Sequence, residues 1–238
     1  MNRDKNSKYG FTLVELMLAM GFVSALLLAI AMTVMQISNI FGRGLTFKNV
    51  NQVGLAISSG LQTDINNSSP FSLTAAGVDA RYINNPYVGG RLCLGGYTYV
   101  WNYGNAINGS YSGLNMYTSN LNNTRVIRFA KVPDPNNKYC KTPTVAIDAT
   151  NATELLNPGE YNLAVHSFTI ASPATAADTR TSQQLYSITI LVGTNNLINN
   201  KSAIDANNKC YLPNSPQYDS MCYVNDFNIV VRAGNTVQ

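Results

Sequence analysis

The chain has 238 residues, of which 45% are hydrophobic and only 12% charged. Its net charge is +4, half of it from Arg3, Lys5 and Lys8 set against Asp4. That balance gives no ground for a nucleic-acid partner, and the length suits one globular domain behind an N-terminal segment. After the short basic start, residues 16–35 read LMLAMGFVSALLLAIAMTVM without a charge. Twenty helical residues span about 30 Å, the thickness of a bilayer's hydrocarbon core, so this segment is expected to cross a membrane once. Glu15 stands at its edge. A charge at mid-bilayer costs on the order of 2.5–3.5 kcal/mol, and less near the interface, so the carboxylate needs a partner or a task. A secretory signal peptide would account for the basic start and Ala29-Ile30-Ala31, but the apolar run continues through Met35. A plain signal anchor would account for the length and leave Glu15 without a role.

The segment Gly10-Phe11-Thr12-Leu13-Val14-Glu15, behind a basic leader and ahead of a long apolar run, resembles the processing site of type IV pilins and type II secretion pseudopilins. The resemblance covers residues 8–35. It implies cleavage by a prepilin peptidase between Gly10 and Phe11, N-methylation of Phe11, and pairing of Glu15 with the terminal amine of a neighbouring subunit. A carboxylate in a lipid-like filament core is tolerable when it meets a cation, and the pairing would also set subunit register. The implied partners are other pilin subunits, major and minor, the prepilin peptidase, an assembly platform with its ATPase, and the inner membrane before assembly. Tyr9 stands where many family members carry Lys or Arg, and residues 11–69 lack the proline that kinks many pilin stalks. Gly42 and Gly44 bracket Arg43 instead, so if the stalk loosens on assembly, that stretch is the expected place.

In chain order the expected segments are a leader at 1–10, a transmembrane or filament-core helix at 11–35, an amphipathic continuation at 36–68 and a β-rich head at 69–238. Ile37, Ile40, Phe41, Val50, Val53, Ile57, Leu61 and Ile65 recur at helical spacing apart from a gap around residues 42–46. Asn66-Asn67-Ser68-Ser69-Pro70 should stop the helix. Beyond it, alternation predicts strands over 92–103, 125–132 (Ile127 and Phe129 on one side, Arg128 on the other), 161–170, around Tyr186, Ile188, Ile190 and Val192, and around Phe227, Ile229 and Val231. A small helix is expected at 149–156, and loops at 133–137, 172–183 and 198–209. The fold class is α+β, with an antiparallel sheet packed on the amphipathic half of a long N-terminal helix. The resemblance implies the same architecture.

Cys93, Cys140, Cys210 and Cys222 all follow the apolar run. An even count in an exported domain reads as two disulfides, and sequential pairing closes the shorter loops. There is no CxxC and no neighbouring histidine, so a metal site is not expected, nor is any cofactor. Tyr97, Tyr99, Trp101 and Tyr103 share one strand face, either as packed core or as an exposed adhesive stripe, with Tyr82, Tyr87, Tyr111 and Tyr117 enriching the same region. Arg125, Arg128, Lys131, Lys138 and Lys141 form the densest basic run, with Asp134 the acid among them. A solvated edge or subunit contact is the ordinary reading of that run, and single-stranded DNA bound at a filament tip is the sharper one. His166 is the one histidine and is expected to share a face with Ala164 and Phe168. Asp205-Ala206-Asn207-Asn208 faintly resembles a calcium loop but lacks its glycine and terminal glutamate. There is no catalytic triad, telling acid pair or phosphate loop. The expectation is a non-enzymatic minor filament subunit that primes assembly or sits at the tip, in the bacterial inner membrane and then in an extracellular or periplasmic filament. A minor pseudopilin of a type II secretion system and a membrane-anchored binding module are the alternatives.

Overall fold

The structure is a computed structural model, and it describes residues 12–75, 77–109, 127–142, 147, 151–156, 162–173, 178 and 181–234. Helix α1 (Leu13–Asn66) is 54 residues long, or about 80 Å at 1.5 Å per residue. It runs through Gly42 and Gly44 without interruption. The chain divides into two compact units, Met1–Gly42 and Arg43–Gln238. In the first, every described residue of α1 as far as Phe41 is exposed, including Ile37, Ile40 and Phe41. The amphipathic stretch therefore begins later than its sequence spacing suggests. Burial starts at Thr46 and continues through Val50, Gly54, Ile57, Ser58, Leu61 and Ile65. These spacings of three and four make one narrow face of a helix.

In the second unit, α1 packs against two antiparallel sheets. Strands β1 (Tyr82–Asn85), β2 (Gly89–Cys93) and β3 (Tyr97–Asn102) precede a short helix α2 (Gly104–Ile107). Strand β4 (Phe129–Pro133), helix α3 (Lys138–Lys141) and strand β5 (Thr153–Glu154) follow. Among the described residues these five strands form a meander in the order β1-β2-β3-β4-β5. The second sheet has the order β10-β7-β6, from β6 (Leu163–Ala171), β7 (Gln184–Thr194) and β10 (Val224–Ala233). Between β7 and β10 lies a hairpin of β8 (Leu197–Ile198) and β9 (Lys201–Ser202). Its two turn residues, Asn199 and Asn200, have φ of 53° and 61°, the left-handed pair that a two-residue hairpin turn demands and asparagine tolerates.

Several expectations are corrected. Residues 92–103 are not one strand, because Gly95-Gly96 turns the chain between β2 and β3. Residues 153–154 pair with Lys131 and Ala130 as a strand, where a helix was expected over 149–156. Residues 149 and 150 lie outside the described set, as do Arg125 and Tyr161. Ile127 does not share a side with Phe129. It joins Val100, Ala130, Val132, Tyr139 and Ile147 on the far face of the first sheet. The hairpin β8-β9 takes up the start of the segment 198–209 expected as a loop.

One main core holds the head together. Val50, Ile57, Leu61 and Ile65 of α1 meet Tyr99, Trp101 and Phe129 from one sheet and Phe168, Ile188, Ile190, Phe227 and Val231 from the other. Trp101 stacks on Phe168 with ring centroids 4.1 Å apart. Gly54 is the close-approach point, since a Cβ there would overlap the Phe227 ring. Tyr186 ties down the chain just beyond the helix. Its hydroxyl accepts from the Phe71 backbone N–H at 2.7 Å and donates to the Phe71 carbonyl at 2.5 Å. Disulfides join Cys93 to Cys140 and Cys210 to Cys222, the sequential pairing.

Candidate functional site

The start of α1 brings together the residues that the sequence singles out. Gly10 and Phe11 lie outside the described residues. Thr12 and Glu15 form a reciprocal cap. The Thr12 N–H and hydroxyl donate to Glu15 Oε2 at 2.9 and 2.8 Å, and the Glu15 N–H donates to Thr12 Oγ1 at 3.3 Å. A T-x-x-E capping box of this kind satisfies two of the donors that every helix start leaves open. Glu15 therefore has a local task besides any partner, and the Thr12-to-Glu15 spacing was the sequence signal for it.

Beyond the cap, the helix presents Leu16, Met17, Leu18, Met20, Phe22 and Val23 to its surroundings, each more than half exposed. The two hydroxyls of this stretch are satisfied within the helix: Ser24 donates to the Met20 carbonyl and Thr33 to the Ile30 carbonyl, both at 2.8 Å. The surface left for other molecules is thus apolar throughout, and α1 is long and apolar enough to cross a membrane or serve as a signal anchor.

The other candidates resolve differently. Tyr99, Trp101 and Tyr103 are buried, so the aromatic stripe is core, and Tyr97 alone of the four is exposed. Tyr99 donates to Asp64 Oδ2 at 2.6 Å, and burial together with that carboxylate pushes its hydroxyl pKa well above the usual range. Tyr111 and Tyr117 lie outside the described residues. Of the basic run, Arg128 and Lys131 are engaged within the head, Lys138 and Lys141 are exposed, and Arg125 lies outside the described residues. Arg128 donates to the Leu163 carbonyl at 2.6 Å and to Asn162 Oδ1 at 2.7 Å. Lys131 pairs with Asp64 at 2.5 Å and lies 3.9 Å from the Tyr97 ring centre. Asp134 is buried and caps α3, accepting from the backbone N–H groups of Lys138 and Tyr139 and from the Thr98 hydroxyl.

His166 sits at a β-bulge between Val165 and Ser167, so it does not share a face with Phe168 as strict alternation predicts. Its Nε2 lies 3.0 Å from the Thr194 carbonyl, and burial pushes its pKa down to about 4. Asp205 closes its own loop, accepting from the N–H groups of Asn207 and Lys209 at 2.9 and 2.8 Å. Among the described residues no three His, Cys, Asp or Glu side chains converge on one point.

One long-range contact has no counterpart in the sequence reading. Arg43 donates from Nε to the Ser220 carbonyl at 2.6 Å and from Nη2 to the Tyr218 hydroxyl at 2.9 Å. Both acceptors belong to the loop closed by Cys210–Cys222. Phe47 packs edge-on against Tyr223 at 5.1 Å, just beyond that loop.

No family model, curated protein or solved structure matches this chain. Its own residues therefore carry the functional reading.

Proposed function

We propose that the chain is a minor subunit of a type IV pilus-like filament, held by its N-terminal helix in the bacterial inner membrane and then drawn into the filament. One observation carries the proposal. A glutamate sits in the first turn of a helix whose next five turns expose only apolar surface or internally satisfied hydroxyls. Such a helix moves from lipid into a bundle of sister helices at little cost, because both surroundings are apolar. The Gly10-Phe11 junction supplies the processing point and Glu15 the contact for a neighbour's new amine. The partners are other pilin subunits, the prepilin peptidase and an ATP-driven assembly platform.

The capping box makes the test sharper. Glutamine at Glu15 keeps a cap acceptor and loses the charge, whereas alanine loses both. Filaments are sheared from the native host and analysed by mass spectrometry. We expect the wild-type chain to begin at methylated Phe11. We expect Glu15→Gln and Glu15→Ala both to be membrane-inserted and absent from filaments. If Glu15→Gln enters filaments at the wild-type level, the carboxylate is a cap alone and the assembly role is wrong.

A further inference from the structure

The two outer edges of the β10-β7-β6 sheet are treated differently. On the β6 side the Phe168 carbonyl points outward and is sealed by the Tyr82 hydroxyl, the Asn84 amide and the Tyr103 hydroxyl at 3.1–3.3 Å. On the β10 side, nothing among the described residues plays that part. The Thr194 N–H donates to the Tyr223 carbonyl, and pairing continues in register from Val224↔Gly193 to Ala233↔Gln184. Antiparallel ladders alternate, so Asn225, Phe227, Ile229, Val231 and Ala233 direct their backbone groups to β7. Val224, Asp226, Asn228, Val230 and Arg232 direct theirs to the open edge. The last four are also exposed, Val230 at 66%. An open, regular edge of this length is a template for another strand, and proteins ordinarily blunt one with like charges, proline or a bulge.

Here the charges have opposite sign and are evenly placed about Ile229. We propose that β10 pairs antiparallel with β10 of a second copy about a two-fold axis at Ile229, joining two three-stranded sheets into one. In that register Asp226 faces Arg232 of the other copy twice over, and Asn228 faces Val230. All four are edge-directed residues, as hydrogen-bonded pairs require. Moving the register by one pair sets Asp226 against Val230 or Gly234 and leaves Arg232 without an acid. Parallel in-register pairing sets like charges side by side, which is unfavourable. An isologous contact is self-complementary in this way. A single strand pair buries little area, so the association is weak.

The Asn225 side chain bonds Asn51, and the Gly234 N–H bonds the Ser68 carbonyl. β10 thus runs in the same direction as the head stretch of α1. Two-fold pairing sets those stretches in opposite directions, the arrangement of opposed molecules rather than of neighbours within one filament. The contact consequently stands or falls separately from the filament proposal.

The test uses the full chain in detergent, followed by analytical ultracentrifugation from about 10 μM to about 1 mM. We expect a reversible dimer that Asp226→Arg and Arg232→Asp each weaken at least tenfold. Mixing those two variants should restore association, since each then faces its opposite charge across the two-fold axis. The double variant D226R/R232D should dimerise like wild type, which a fold defect in either single variant would not allow. A wild-type chain that stays monomeric throughout, single reversals without effect, or a mixture and double variant that both stay monomeric would each overturn the proposal.

Discussion

Glu15 and His166 show how far one side chain's role depends on its immediate neighbours. Glu15 is tied to Thr12 by three hydrogen bonds, two of which satisfy backbone N–H groups as any helix start requires. The carboxylate is consequently doing something useful before any second molecule arrives. His166 is held neutral, its pKa pushed down to about 4, because burial strips its ring of solvent, and the Thr194 carbonyl beside it offsets that only in part. An unfolded histidine titrates near 6.5. As pH falls from about 7 towards 4 the unfolded state takes up this proton first, so the contribution to stability is full above pH 7 and lost through that window. Since the side chain is partly exposed, we expect a loss of about 1–3 kcal/mol. Thermal denaturation at pH 7 and pH 5 should show it, and His166→Asn should show a smaller difference between the two. The His166 bulge was not readable in the sequence. Strict alternation put the residue on the core face, and only the register of β6 against β7 shows that one residue is skipped.

At the scale of elements, the Cys210–Cys222 loop acts as a clamp on α1. Arg43 reaches the Ser220 carbonyl and the Tyr218 hydroxyl, both inside the loop, and the Asn225 side chain just beyond it donates to Asn51 at 2.7 Å. Closing so short a loop is worth about 3 kcal/mol in the chain-entropy account. The double variant Cys210→Ser/Cys222→Ser should therefore lower stability by about 2–3 kcal/mol. It should also speed amide hydrogen exchange in α1 from Arg43 to Asn51 more than from Ile57 to Ile65. The latter residues are gripped by the main core and not by the loop. Equal acceleration along both stretches would contradict the clamp. The pairing of the cysteines followed from their spacing, but what the loop holds did not, because Arg43 and Ser220 are 177 residues apart.

For the whole molecule, the division at Gly42 separates two kinds of stability. Every residue of both core clusters lies beyond Arg43. The apolar first unit, exposed in its described residues as far as Phe41, contributes no residue to either core cluster. A fragment beginning at Arg43 is expected to fold without detergent, with a melting temperature within a few degrees of the full chain. A fragment begun at Asn51 should be less stable, because it lacks Arg43, Phe47 and Val50. Circular dichroism of the two fragments measures this. A fragment from Arg43 that is unfolded or aggregated would show that the head needs the apolar helix.

The uncharged run, the glutamate at its rim, the helical spacing from Val50 to Ile65 and the alternation of Tyr186 to Val192 were all legible in the chain. Each is a local pattern set by helix or strand geometry, so composition and spacing suffice to read it. The cysteine count belongs with them. Tertiary structure decided what touches what across long separations. It buried the aromatic stripe, split strand 92–103 at Gly95-Gly96, drew Arg128 and Lys131 out of a basic patch into internal contacts, and left β10 as an open edge. Those outcomes depend on which faces the two sheets and α1 turn toward one another, and short-range periodicity carries no information about that.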